Sequence, residues 1–338
     1  MIVMMKPEST AKHVAEVIAH VEADGYAAHL ADSDTGTLVG IVGESPSPFN
    51  QEKYENLPGV ARVKRVTVPY KLASREMHPK DSYVPFNNSK MGGNKVLVIA
   101  GPCSVETREG LIEIACAVKE AGATALRGGA YKPRTSPYSF QGHGEKGLQW
   151  LAEAREITGL PIVTEVMDAN LVPLVCQYAD VLQIGARNMQ NFTLLTAVGE
   201  SQHPVLIKRG MSSTIEDLLM AAEYVLAQGN KQVMVCERGI RTFEKHTRNT
   251  FDLNAIAVLK ALTHLPVIAD PSHAVGLREY VPQVALGAVA AGADGLIIEV
   301  HPTPDEAWSD GRQSLTMPGF KQMVEQVKLV AQAVGRSA

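Results

Sequence analysis

The chain has 338 residues, enough for one large domain and a small one, and its hydrophobic share of 45% allows a full core. A formal net charge of −4 leaves no basic surplus to neutralise a phosphate backbone, so nucleic acid is not expected as a partner. No apolar stretch reaches the roughly 18 residues of a membrane span, and the N-terminus lacks a basic region followed by an apolar block, so no membrane is expected either. The four cysteines show no paired short spacing, and the expected compartment is the reducing cytoplasm.

Residues 1 to about 68 read as a unit of their own. Residues 1–5 form an apolar strand. Over 10–23, Val14, Val17, Ile18 and Val21 recur at helical spacing, with Ser9 or Thr10 as the cap. Segments 26–30 and 38–42 read as strands around a polar turn at 32–36. A short helix at 51–56 and a strand at 61–68 follow. The order βαββαβ predicts a ferredoxin-like fold. This unit has no cluster of catalytic side chains, so it is assigned to binding or regulation, with a packing or oligomerisation appendage as the other reading. His29 is one candidate contact for a regulatory ligand, and an ordinary surface position is the alternative for it. Residues 69–94 are polar and irregular and read as a linker carrying a short hairpin.

From residue 95 to 338 the chain repeats one theme, an apolar strand followed by a helical segment. Strands are predicted at 96–100, 124–126, 162–165, 181–184, 205–208, 233–236, 267–269 and 296–300. Helical patterns lie between them, as at 111–120, 148–157, 215–226 and 255–262. Eight βα units predict an α/β (β/α)₈ barrel, a TIM barrel. An open doubly wound sheet fits less well, because no Gly-x-Gly-x-x-Gly turn follows the first strand. Cys116, Cys176 and Cys236 fall in apolar periodic segments and read as small core residues. Cys103 is different, standing in Ala100-Gly101-Pro102-Cys103-Ser104 just after the first strand.

In a barrel the C-terminal strand ends face a common site. Taken in order, those ends carry Cys103, Arg127, Glu165, Arg187, Lys208, Glu237-Arg238, Asp270 with His273, and Glu299. The loop 128–142 is stiffened by Pro133 and Pro137 and adds Lys132 and Arg134. Arg127, Lys132, Arg187, Lys208 and Arg238 are expected to converge, with Arg134 further out. Some should pair with Glu165, Glu237 and Asp270. The remaining cations call for a multiply charged anionic substrate, since buried like charges are costly unless neutralised. Cys103, His273, Glu299 and Asp310 form a mixed sulfur, nitrogen and oxygen set suited to a borderline divalent ion. His301 is a rival ligand, because it alternates onto the face of Glu299.

These motifs carry a resemblance. Ala100-Gly101-Pro102-Cys103-Ser104, Leu126-Arg127-Gly128-Gly129, Lys132-Pro133-Arg134-Thr135-Ser136, Gln183-Ile184-Gly185-Ala186-Arg187-Asn188, Lys208-Arg209-Gly210, Cys236-Glu237-Arg238-Gly239, Asp270-Pro271-Ser272-His273 and Glu299-Val300-His301 resemble 3-deoxy-D-arabino-heptulosonate 7-phosphate (DAHP) synthases. The likeness covers residue 95 to the C-terminus and is closest to the members that share their barrel with 3-deoxy-octulosonate phosphate synthase. The N-terminal unit resembles the regulatory domain of some of these synthases.

The resemblance implies condensation of phosphoenolpyruvate with erythrose 4-phosphate, the first step of the shikimate pathway. It implies Cys103, His273, Glu299 and Asp310 as ligands of one divalent metal, Mn²⁺ or similar. Arg187, Arg238 and the Ala186 backbone match the phosphoenolpyruvate phosphate site. Arg127 and Lys208 match its carboxylate site, and Lys132 lies close to the reacting carbons. Arg134, Thr135 and Ser136 match the erythrose 4-phosphate end. Lys132 and Glu237 are both open for the proton steps.

The sister octulosonate enzyme usually has Lys-Ala-Asn-Arg-Ser-Ser at the Lys132 motif, which favours the heptulosonate reading here. Feedback by tyrosine or phenylalanine and a homo-oligomer, for which a tetramer is one candidate state, are the further expectations. Ala274-Val275-Gly276 after His273 is an unusual continuation and carries no functional reading. A Schiff-base aldolase using Lys132 or Lys208 would leave Cys103, His273 and Glu299 without a role. A silent sensor of phosphorylated metabolites or aromatic amino acids would be signalled by a missing ligand, and none is missing.

Overall fold

In a computed structural model of the chain, which describes residues 1–33, 36–43, 49–87, 89–134 and 136–338, the N-terminal strands form an antiparallel sheet. The elements are β1 (Ile2–Met5), α1 (Ala11–Ala23), β2 (Ala27–Ser33), β3 (Gly36–Val42), α2 (Gln51–Glu55) and β4 (Val60–Lys64). Sheet order is β2-β3-β1-β4, the ferredoxin-like arrangement. Thr10 caps α1: its hydroxyl accepts the His13 N–H, and His13 Nδ1 accepts the Thr10 N–H. Val17 and Val21 of α1 pack on Val3, Met5, Val39 and Ile41 from the sheet. Tyr54 closes this core, and its hydroxyl donates to Asp24 at 2.6 Å.

Two boundaries differ from the sequence reading. The expected turn at 32–36 is mostly ladder, with Asp32 opposite Thr37 and Ser33 opposite Gly36; Asp34 and Thr35 lie outside the described residues. β4 stops at Lys64 instead of residue 68, because its sheet partner β1 runs out where Ile2 meets Lys64. The compact unit formed here spans Met1–Asp81 and takes in Ala261–His264. Tyr70, Leu72, Ala73 and Met77, from the stretch read as a linker, are buried.

The second unit comprises Ser82–Lys260 and Leu265–Ala338. It opens with a hairpin, β5 (Val84–Phe86) and β6 (Ser89–Met91). Eight parallel strands follow: β7 (Leu97–Gly101), β8 (Ala125–Arg127), β9 (Ile162–Glu165), β10 (Val181–Ile184), β11 (Val205–Lys208), β12 (Val233–Glu237), β13 (Val267–Ala269) and β14 (Gly295–Glu299). They close into a barrel, with β14 pairing β7. The helices are α3 (Arg108–Glu120), α4 (Glu145–Thr158), α5 (Val172–Val175), α6 (Phe192–Glu200), α7 (Ile215–Ala227), α8 (Leu253–Leu262), α9 (Pro271–Val275), α10 (Val281–Ala290) and α11 (Met317–Ala333). Among the described residues no helix is long and apolar enough to cross a membrane.

Strand alternation decides what fills the barrel. Leu97 and Ile99, Ala125, Val163, Val181, Leu206, Met234 and Cys236, Ile268 and Ile297 form one buried cluster. Val84, Phe86 and Met91 of the hairpin join that cluster from the N-terminal side. On seven of the eight strands the chain turns polar two residues beyond the innermost apolar position, at Arg127, Glu165, Gln183, Lys208, Arg238, Asp270 and Glu299. The apolar layer therefore seals one end, and the other end collects charge. Cys236 is a core residue as read from sequence, but Cys116 is exposed. Leu111, Ile114, Ala115 and Val118 mark the buried stripe of α3, and Cys116 falls on its other side.

Candidate active site

A cavity of about 490 Å³ opens at the charged end of the barrel. Arg127, Lys132, Arg134, Ser136, Ala186, Arg187, Lys208, Arg238, His273 and Asp310 all line it. Cys103 and Glu299 are buried beneath, 3% and 1% exposed. Thr135, assigned with Arg134 and Ser136, lies outside the described residues.

At the floor, the Cys103 sulfur and one carboxylate oxygen each from Glu299 and Asp310 lie within 4.8 Å of one another. His273 brings Nε2 to 3.5 Å from Glu299 Oε1. Its Nδ1 stands 2.8 Å from Asp270 Oδ2, but off the hydrogen-bond line. Burial lowers the His273 pKa despite Asp270 and Glu299, which favours the neutral imidazole that ligates metals. Burial opposes ionisation of Glu299, but His273, Arg127 and Lys132 outweigh it and hold the carboxyl at about 2. Burial, and then Glu299, push the Cys103 thiol up to about 12 against the pull of Lys132 and Arg127. A bound cation would reverse that, since coordination deprotonates a thiol outright. Asp310 adopts a left-handed backbone, φ 49° and ψ 31°, uncommon for a non-glycine residue and typical of functional positions. The donor set fits a borderline divalent ion.

The walls are cationic. Arg127 Nη1 donates to Glu299 Oε1 at 2.5 Å, and Lys208 Nζ to Asp270 Oδ2 at 2.5 Å. These pairs do not exhaust the donors. Among the described residues, the buried side-chain nitrogens without a partner include Arg127 Nε, Arg134 Nη2 and Arg238 Nη1, all belonging to residues of this cavity. An unmet buried donor costs about 1–3 kcal/mol, more when charged, so each of these nitrogens calls for an acceptor, and an anion is the acceptor a guanidinium holds best. Burial depresses the Arg238 pKa, and Asp270, which pulls the other way, does not make up for the lost solvent. Gly185 leaves room for a carboxylate on the wall: a Cβ there would come within 2.1 Å of Glu165 Oε1.

The reading of Glu237 changes, and those of His301 and Arg134 gain detail. Glu237 does not balance the cavity cations. It alternates outward from β12, fully buried, and pairs with Arg209, which alternates outward from β11 at 2.8 Å. Asp252 accepts from the same guanidinium at 2.9 Å. His301 does not line the cavity and pairs with Glu106 at 3.3 Å. Arg134 is held against the cavity by its Nε bond to the Phe140 carbonyl at 3.1 Å. Sequence reading missed Gln183, Arg241, Arg248 and Asn249, which also line the cavity. Gln183 had a signal, its inward place on β10. Arg241, Arg248 and Asn249 lie beyond β12 on the way to α8, where no period marks a side chain's direction.

The profile of the DAHP synthetase I family matches residues 77–334, and that of the DAHP synthase ferredoxin-like domain matches residues 1–68. The phospho-2-dehydro-3-deoxyheptonate aldolase of Thermotoga maritima is 48% identical over 335 residues, 99% of each chain. The 2-dehydro-3-deoxyphosphooctonate aldolase of Desulfatibacillum aliphaticivorans is 34% identical over 266 residues, 73% of this chain and 96% of that protein. The crystal structure of the Thermotoga DAHP synthase superposes with a TM-score of 0.79 at 47% identity, covering 99% of this chain and 98% of that one. A truncated form of the Thermotoga synthase gives a TM-score of 0.75 over 79% of this chain.

Proposed function

The chain belongs to the DAHP synthetase I family, whose reaction condenses phosphoenolpyruvate with erythrose 4-phosphate at the start of aromatic amino acid biosynthesis, and on that premise we propose which residues carry each part of the chemistry. The observation that carries this reading is, among the described residues, the set of partnerless guanidinium nitrogens in a cavity whose floor holds a sulfur and oxygen donor cluster, with the His273 imidazole beside it. Two phosphorylated substrates supply the anions, and one divalent cation, Mn²⁺ or similar, suits the donors.

Arg187 and Arg238, with the Ala186 backbone, hold the phosphoenolpyruvate phosphate. Arg127 and Lys208 hold its carboxylate. Both are already tied to carboxylates, so they are fixed before substrate arrives and little ordering remains at the moment of binding. Arg134, Thr135 and Ser136 take the phosphate of erythrose 4-phosphate. Cys103, His273, Glu299 and Asp310 would hold the metal, which when bound polarises the aldehyde carbonyl as a Lewis acid. With the substrates aligned, C3 of phosphoenolpyruvate forms a bond to the aldehyde carbon. Water adds at C2, and inorganic phosphate leaves with cleavage of the C2–O bond. Lys132, whose ammonium lies at the Cys103 edge of the cavity, is the group placed to give a proton to the new alkoxide. Glu237, locked to Arg209 outside the barrel, is not.

The same ties argue against a Schiff-base aldolase, because Lys132 is bonded to Cys103 and Lys208 to Asp270. We assign the N-terminal unit to feedback by tyrosine or phenylalanine. His29, half-buried on β2 opposite Gly40, is a candidate contact for that ligand. A homo-oligomer in the cytoplasm completes the proposal.

The test is phosphate release from phosphoenolpyruvate with a panel of aldose phosphates, with and without EDTA. Efficient turnover with erythrose 4-phosphate that stops with EDTA and returns with Mn²⁺ is expected. Preference for arabinose 5-phosphate, or full turnover after verified metal removal, would refute the corresponding part.

A further inference from the structure

The unusual Ala274-Val275-Gly276 segment has a structural consequence. Gly276 ends α9 with φ 71°, and a Cβ there would fall 2.5 Å from Arg248 Cβ. Only glycine lets the stem of Arg248 pass so close to the turn that carries His273. The backbone of that segment is pinned to the same turn: Arg248 N–H donates to Val275 O at 2.9 Å, and Asn249 N–H to Ala274 O at 2.8 Å.

From this anchored position the Arg248 guanidinium reaches across the site. Nη1 donates to Gln313 Oε1 at 2.9 Å and to Asp310 Oδ1 at 3.3 Å. Gln313, 2% exposed, uses its other end to donate Nε2–H to Glu299 Oε2 at 2.6 Å. One chain of bonds thus touches both candidate metal-binding carboxylates. With Oδ1 of Asp310 held by Arg248, Oδ2 is the oxygen turned to the Cys103 sulfur, 3.4 Å away. With Oε2 of Glu299 held by Gln313, Oε1 is the oxygen turned to His273 Nε2. The fork of Arg248 and the amide of Gln313 are directional donors, so they set the rotation of each carboxylate as well as its charge.

We infer that Arg248 and Gln313 act as one positioning relay that fixes the rotation of Asp310 and Glu299 for the metal ion, with Gly276 making the room it requires. Neither residue is a ligand. The inference rests on the metal site proposed above. Outer partners of this kind typically govern affinity by about 10–100-fold.

The test uses the full chain after chelation, titrated with Mn²⁺ alone and followed by calorimetry or by the loss of the free-ion electron paramagnetic resonance signal. Arg248→Met and Gln313→Leu should each weaken Mn²⁺ binding by about 10–100-fold. The double variant should fall well short of the product of the two losses, because both act through the same bonds. The melting temperature of the chelated protein should change little for Arg248→Met, whose side chain is 40% exposed. Should Gln313→Leu not fold, Arg248→Met still decides the question, with Arg248→Lys expected to restore only part of the affinity. Unaltered Mn²⁺ affinity in the variants, or losses that multiply independently, would overturn the relay while leaving the metal site standing. A wild-type chain that takes up no Mn²⁺ would overturn the metal site itself.

Discussion

Lys132 Nζ stands 3.0 Å from the Cys103 sulfur and 2.9 Å from the carbonyl oxygen of the same residue. The loop 128–142 is thereby fastened to the strand end that carries the thiol. Cys103→Ala should remove most activity and the stoichiometric metal, because the remaining donors lose their only sulfur and Lys132 loses a tether. Metal analysis of the purified variant beside its turnover checks this. Normal metal content with normal turnover would sink it.

The two anion sites should separate kinetically. Arg238→Met should raise KM for phosphoenolpyruvate by about 10–100-fold, the loss of a charge-assisted hydrogen bond of about 1.5–3 kcal/mol, with little change for the aldose. Arg134→Ala should do the reverse, raising KM for erythrose 4-phosphate. Initial rates with each substrate varied in turn give the answer, and equal effects on both constants would contradict the assignment.

Arg209 is a stability residue rather than a catalytic one. Its guanidinium, 6% exposed, neutralises Glu237, which is fully buried. Arg209→Met leaves that carboxylate uncompensated and should cost about 3 kcal/mol. Burial already raises the Glu237 pKa, so Glu237→Gln in the same chain should recover part of the loss. Denaturant unfolding of the single and double variants measures both terms.

His264 should make the protein acid-sensitive. Its Nε2 donates to the Leu72 carbonyl at 2.8 Å, and burial, helped by His78, lowers its pKa to about 4. The unfolded histidine titrates near 6.5, so the unfolded chain binds the proton first and stability falls as pH drops from about 6.5 toward 4. Between pH 7 and pH 5 this one group should remove about 2 kcal/mol. His264→Gln keeps a donor for Leu72 and should flatten that part of the pH profile. An unchanged slope in unfolding experiments at pH 7, 6 and 5 would count against it.

Regulation can be separated from turnover by truncation. Removing residues 1–68 should leave condensation intact and abolish inhibition by tyrosine or phenylalanine. Equal inhibition of the truncated and full chains would place the effector site elsewhere. Effector control also requires tighter binding to the less active arrangement, so substrate saturation should weaken inhibitor binding by the same factor.

The sequence by itself determined the two folds, because strand and helix periods are local and the eight apolar runs are short and cleanly separated. It also marked the residues that alternation turns inward, from Arg127 on β8 to Glu299 on β14, since a barrel brings every strand end to one mouth. Tertiary structure alone decided which charges meet. Lys208 and Arg209 are neighbours in sequence, but one faces the cavity and pairs with Asp270 while the other faces the helix layer and pairs with Glu237. A one-residue step on a strand reverses a side chain's direction, and composition carries no record of it. Arg248 was illegible for another reason: its segment has no period, and it reaches Asp310 across 62 residues of sequence only because Gly276 lets it pass.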